Sequence, residues 1–80
     1  MVEAFVLIQT EVGRAETVAK QLAGLTAVLS AEYVTGPYDV VVRVSAADLT
    51  ELKATVVPTV AQVSGITRTL TCPIGTGAQI

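Results

Sequence analysis

Eighty residues, 51% of them apolar and 15% charged, make one small domain, and a chain this short hides only roughly 60–65% of the surface that its unfolded form exposes. Its five basic residues, Arg14, Lys20, Arg43, Lys53 and Arg68, are scattered and outnumbered by seven acidic ones, which excludes a phosphate-tracking patch. A single cysteine excludes an intrachain disulfide framework and a thiolate metal site. The lack of a basic leader and of any apolar run near about eighteen residues points to a cytoplasmic chain with no nucleic-acid or membrane partner.

Ala4-Phe5-Val6-Leu7-Ile8 is a short continuous apolar run and predicts a first strand buried on both faces. From Arg14 to about Leu25, the recurrence of Ala15, Val18, Ala19, Leu22 and Leu25 is that of an amphipathic helix. Residues 27–35 alternate as a second strand, and Gly36-Pro37 turns the chain sharply into a third, Tyr38 to Val44.

Asp48 is placed to cap a second helix, with Glu51 three residues on to complete a capping box. Leu49, Leu52, Val56, Val60 and Val63 supply its apolar stripe. Pro58 falls inside that stripe, and because an interior proline removes one hydrogen bond, it predicts a kink or an early end. Ile66 to Cys72 alternates as a fourth strand, stopped by Pro73. The segment 75–80 has no pattern and is expected to be a flexible tail behind a domain of residues 1–74.

The order strand, helix, strand, strand, helix, strand predicts an α+β, ferredoxin-like βαββαβ fold: a four-stranded antiparallel sheet with both helices on one face. The strands carry apolar or neutral residues in both registers, more than one small core can hide. Sheet-on-sheet dimerisation would bury the excess.

The Gly-Pro corner sets Asp39 at the mouth of a strand of β-branched residues. Its carboxylate can accept a ligand ammonium, or tie down the corner by accepting backbone N–H groups. Thr35, Gly36 and Pro37 form the turn and can also line a pocket with their backbone, and Tyr38 can anchor an interface or contact a ligand. Thr67, Thr69 and Thr71 share one face of the last strand, as strand formers or as hydroxyls for a carboxylate. Arg43 and Arg68 could pair with Glu32, Asp39 or a ligand carboxylate, exposed ion pairing being the commoner fate of such residues, and Cys72 is expected to be a small apolar packer. Catalysis is not expected. With no histidine in the chain, Asp39, Glu32 and Tyr33 are the only plausible acid-base groups on the strands, and they assemble no nucleophile, base and oxyanion site.

The apolar first strand, the run Val34-Thr35-Gly36-Pro37-Tyr38-Asp39-Val40-Val41-Val42 and the ending Ser64-Gly65-Ile66-Thr67-Arg68-Thr69-Leu70-Thr71 together resemble the C-terminal effector-binding domain of the Lrp/AsnC regulators, the regulation of amino acid metabolism domain. The likeness covers about residues 2–74. It implies a ferredoxin-like fold that pairs through its sheet, assembles into octamers or related rings, and binds an amino acid or small metabolite between subunits without a cofactor. The family's corner motif falls on Gly36, Tyr38 and Asp39, flanked by Thr35 and Pro37, and its last strand on Thr69 and Thr71. The first strand begins at the initiating methionine, so the chain looks like a stand-alone version without the DNA-binding helix-turn-helix. Its output is then a change in its own assembly, or in that of a full-length Lrp/AsnC regulator. The alternatives are a structural co-assembly partner with no ligand of its own, and a small dimeric monooxygenase or isomerase of the same fold.

Overall fold

The computed structural model describes residues 1–75. Four strands, β1 (Val2–Thr10), β2 (Val28–Tyr33), β3 (Val40–Ala46) and β4 (Ile66–Pro73), form one antiparallel sheet in the order β2-β3-β1-β4. Helix α1 (Ala15–Ala23) joins β1 to β2, and a second helical segment, α2 (residues 49–61), joins β3 to β4. This is the expected ferredoxin-like arrangement. The tail expected to be flexible lies, beyond Gly75, outside the described residues.

β1 is the central strand, paired on one edge with β3 and on the other with β4. Its side chains alternate strictly: Ala4, Val6 and Ile8 are fully buried, facing Val40, Val42 and Val44 across the ladder to β3. Onto this face α1 presents Val18, Ala19 and Leu22, and α2 presents Leu52, Val56 and Val60, which closes the core. No buried polar or charged residue interrupts it among the described residues.

The other face of β1 corrects the expectation of a strand buried on both sides. Phe5 is 39% exposed and Leu70, across from Leu7, 46%, because both helices sit on the opposite face. Phe5 stands opposite Arg43 and Cys72, and Leu7 opposite Val41 and Leu70, so an apolar band crosses the uncovered face.

The second helix begins as expected. Asp48 Oδ1 accepts the Glu51 N–H at 2.8 Å, and Glu51 Oε1 accepts from Ala47 N–H at 2.6 Å, so the box closes one residue outside its usual position. Pro58 does not end α2, but the α-helix is interrupted just before it. An α-helical turn, Leu49–Glu51, opens into a π-helical stretch, Leu52–Val56, and returns to α-helix over Val57–Ala61. The Val57 N–H reaches back to Leu52 O, five residues away, so the chain widens just before the residue that has no N–H to give.

β4 also runs further than expected, through Pro73, which pairs with Ala4. β4 is an edge strand, where a proline without a donor costs no ladder bond on its outer side. Ile74 N–H then bonds to Glu3 O at 2.8 Å. Among the described residues no helix is long and apolar enough to cross a membrane.

Leu22→Ala, which empties the middle of α1's contact with the sheet, is expected to cost about 2–5 kcal/mol in urea unfolding at fixed protein concentration. Asp48→Ala, which removes only the cap, should cost about 1 kcal/mol in the same measurement.

Candidate functional site

The corner predicted as a tight reversal is a loop, residues 34–39, folded back on the end of β1. Asp39 holds it from three sides. Its N–H donates to Ile8 O at 2.8 Å, its C=O accepts from Val34 N–H at 2.8 Å, and its carboxylate Oδ2 accepts from Thr10 N–H at 2.8 Å. Pro37 O accepts a further bond from Gln9 Nε2 at 3.1 Å. β3 begins at Val40, opposite Ile8, so no backbone of β3 lies alongside Thr10. The carboxylate supplies the acceptor that the sheet does not, which is the physical reason for an aspartate here.

The same end of β1 is fixed on its other side. Glu11 N–H donates to Gly65 O at 2.8 Å, and Gly65 has a φ of +98°. A Cβ on Gly65 would lie 3.2 Å from Val18 Cγ2, so the residue is required by its backbone and by α1 together. Gly36, at φ +150°, holds a conformation that other residues rarely adopt, with open space around it.

Asp39 and Tyr38 are half-buried, whereas Thr35, Gly36 and Pro37 are exposed. Oδ2 of Asp39 is engaged, but Oδ1 and the Tyr38 hydroxyl have no hydrogen-bond partner among the described residues. The aspartate therefore does the structural task weighed for it in the sequence and keeps one oxygen free.

The two strand threonines stand apart from this loop. Thr69 pairs with Ile8, which pairs with Val40 on its other side, so Thr69 is two strands from the corner, roughly 10 Å away. Thr71 pairs with Val6, four residues along β1 from Thr10, or about 13 Å. Both lie on the helix-covered face, as Val6 and Ile8 do. Thr67, beside the β-bulge at Gln9/Thr10, instead donates its hydroxyl to Gln9 O at 3.2 Å. The seven candidate residues, Thr35 to Asp39 with Thr69 and Thr71, thus enclose no common cavity within one subunit. Three cavities among the described residues lie instead beside α2, and one of them, about 430 Å³, has Thr71 in its wall.

Other expectations are corrected. Arg43 pairs neither with Glu32 nor with Asp39; its guanidinium meets Glu3 Oε1 at 2.6 and 2.8 Å and lies 5.7 Å from the centre of the Phe5 ring. Cross-strand register decides this, since Glu3, Phe5 and Arg43 share the open face. Arg68 makes no ion pair among the described residues. Lys53 lines the cavity with Thr71, a place that the sequence does not signal, because there it is one more charge on the outside of a helix. Among the described residues no three His, Cys, Asp or Glu side chains converge as a metal site would need.

The βαββαβ order and the single four-stranded sheet, with a loop bound to the end of its central strand, define a ferredoxin-like α+β domain. The chain belongs to the Lrp/AsnC ligand binding domain family, whose model matches residues 3–74. It is similar to the crystal structure of TTHA0845 from Thermus thermophilus, with 36% identity over 91% of each chain and a TM-score of 0.81. It is also similar to that of the hypothetical protein PHS023 from Pyrococcus horikoshii, with 30% identity over 91% of this chain and 88% of that one and a TM-score of 0.82. E. coli AsnC shares the fold at 22% identity and a TM-score of 0.80; 91% of this chain matches 50% of that one. No curated protein matches the chain.

Because Asp39 replaces a missing ladder partner, Asp39→Ala is expected to lower stability by about 1–2 kcal/mol, the worth of a charge-assisted bond discounted for partial exposure. Asp39→Asn keeps an amide oxygen for Thr10 N–H and should lose less than half as much. Paired urea melts of the two variants check this.

Proposed function

We propose that this domain senses an amino acid or a closely related small metabolite at a subunit interface beside Thr35, Gly36, Pro37, Tyr38 and Asp39, and acts in the cytoplasm by changing assembly rather than by catalysis. The observation that carries this is the divided carboxylate of Asp39: one oxygen holds the Thr10 N–H, and the other, on a half-buried side chain, is unengaged and able to serve as acceptor for an α-ammonium group. A family whose domain is a ligand-binding one supports the same reading.

One subunit offers an anchor at the corner, where Thr35, Gly36 and Pro37 are exposed, and a second subunit supplies the rest of the pocket. The open sheet face provides the first contact. Phe5, Leu7, Val41 and Leu70 form an apolar band there, flanked by the Arg43–Glu3 pair, suited to a second copy of the same face. Such dimers join into an octamer or a similar ring through other surfaces, with the corner ligand between them. A ligand that touches two subunits favours the assembly in which both are present, and the output passes to the domain's own ring or to a full-length Lrp/AsnC regulator built into it. Five scattered cations against seven acids do not suit direct DNA binding.

The test is thermal unfolding of the protein against each of the twenty amino acids, with Asp39→Asn in parallel. A ligand at a hundred times its dissociation constant adds about 2.7 kcal/mol, a shift of several degrees for a domain of this size. Asp39→Asn should abolish the shift while keeping the fold. No shift with any amino acid would overturn the sensor reading in favour of a co-assembly partner with no ligand of its own. Separately, Leu70→Asp is expected to turn the dimer into monomer in light scattering, with α1 and the core intact by circular dichroism.

A further inference from the structure

The cavity between α2 and β4 has a chemistry of its own. Its walls are Leu52 and Val57 from α2 and Pro73 from the sheet edge, and the two polar residues of its lining are Lys53 and Thr71. Leu52 is buried, Val57 and Thr71 half-buried, and Lys53 and Pro73 stand at the exposed rim. At about 430 Å³ it is in the range of small-molecule sites.

Lys53 differs from most of the other cations. Arg14, Lys20 and Arg43 each have a carboxylate within 4.0 Å, at Glu11, Glu16 and Glu3. Lys53 has no acidic partner among the described residues, and it stands at the mouth of an apolar recess. A lining whose polar members are one lysine and one threonine suits a carboxylate. A phosphate group would call for more donors, such as an arginine fork or a row of backbone N–H groups, and a cationic ligand would be repelled.

We propose that this cavity is a second ligand site, separate from the corner, that binds a short aliphatic carboxylate: the acid group on Lys53 Nζ and the Thr71 hydroxyl, the hydrocarbon against Leu52, Val57 and Pro73. Thr71 then belongs to this site and not to the corner ligand, in keeping with the roughly 13 Å that separate the two along β1. The site lies within one subunit, so it does not depend on the assembly that the corner needs.

The probe is 4-methylpentanoate, titrated into the isotope-labelled protein and followed by amide proton–nitrogen spectra, with 4-methylpentanamide as the neutral twin. Shifts are expected at Leu52, Lys53, Val57 and Thr71, with the amide binding about ten-fold more weakly. Lys53→Met should weaken the carboxylate about ten-fold and leave the amide unchanged, and Thr71→Val should weaken the carboxylate a few-fold. Asp39→Asn should alter neither, so failure of the corner reading and failure of this one are distinguishable. Shifts elsewhere only, equal binding of acid and amide, or an unaltered affinity in Lys53→Met would overturn the proposal.

Discussion

Everything in this domain hangs on the alternation of β1. The strand is hydrogen-bonded along both edges, so its position is fixed, and the pleat sends Ala4, Val6 and Ile8 to one side and Phe5 and Leu7 to the other. Among the described residues two helices are available to cover the sheet, and both go to the first side. No helix or strand of the described residues covers the second side, which stays apolar and bare within one subunit. The Arg43 side chain stands on that face, its guanidinium paired with Glu3 and 5.7 Å from the centre of the Phe5 ring.

The sheet's end shows how a structural need and a functional one can share one residue. Thr10 needs an acceptor where β3 has already turned away, and a side-chain carboxylate answers that need with one of its two oxygens. A glutamine or a threonine would fill the first role without leaving a negative oxygen behind. With Gly65 holding Glu11 on the far side, the corner is presented on a rigid strand end, the setting in which a small number of polar groups can fix a ligand's orientation.

The order of the elements and the fold could be read from the sequence, because helix and strand periods differ and the Gly-Pro and Asp-capped junctions separate them cleanly. The bare second face of the sheet was legible too, from the placing of both helices on one side and the apolar residues in both registers of Ala4-Phe5-Val6-Leu7-Ile8, although that run taken alone reads as a strand buried on both faces. The candidate corner residues were legible as a group through turn chemistry, but Asp39's partner was not, since Thr10 N–H is a backbone group that carries no signature of its own. Long-range side-chain pairs were beyond reach for a similar reason. Glu3 and Arg43 are 40 residues apart, and only the register of β1 on β3 makes them neighbours. The cavity at Thr71 depends on Lys53 and Pro73 meeting across two elements whose relative placement no local pattern encodes.

The wide turn in α2 has a geometric consequence for the core. In a uniform α-helix, residues four apart drift by about 40° around the axis, so Leu52, Val56 and Val60 would fan out by about 80°. A turn closed by a five-residue hydrogen bond takes more residues per revolution, which cancels part of that drift and brings the three side chains nearer to a single line above the sheet. The π stretch is equivalent to one residue added to an ordinary helix. Deleting one residue between Leu52 and Pro58 would therefore turn α2 into an ordinary helix in which Leu52 and Val60, then seven residues apart, stay within about 20° of one another on the core side.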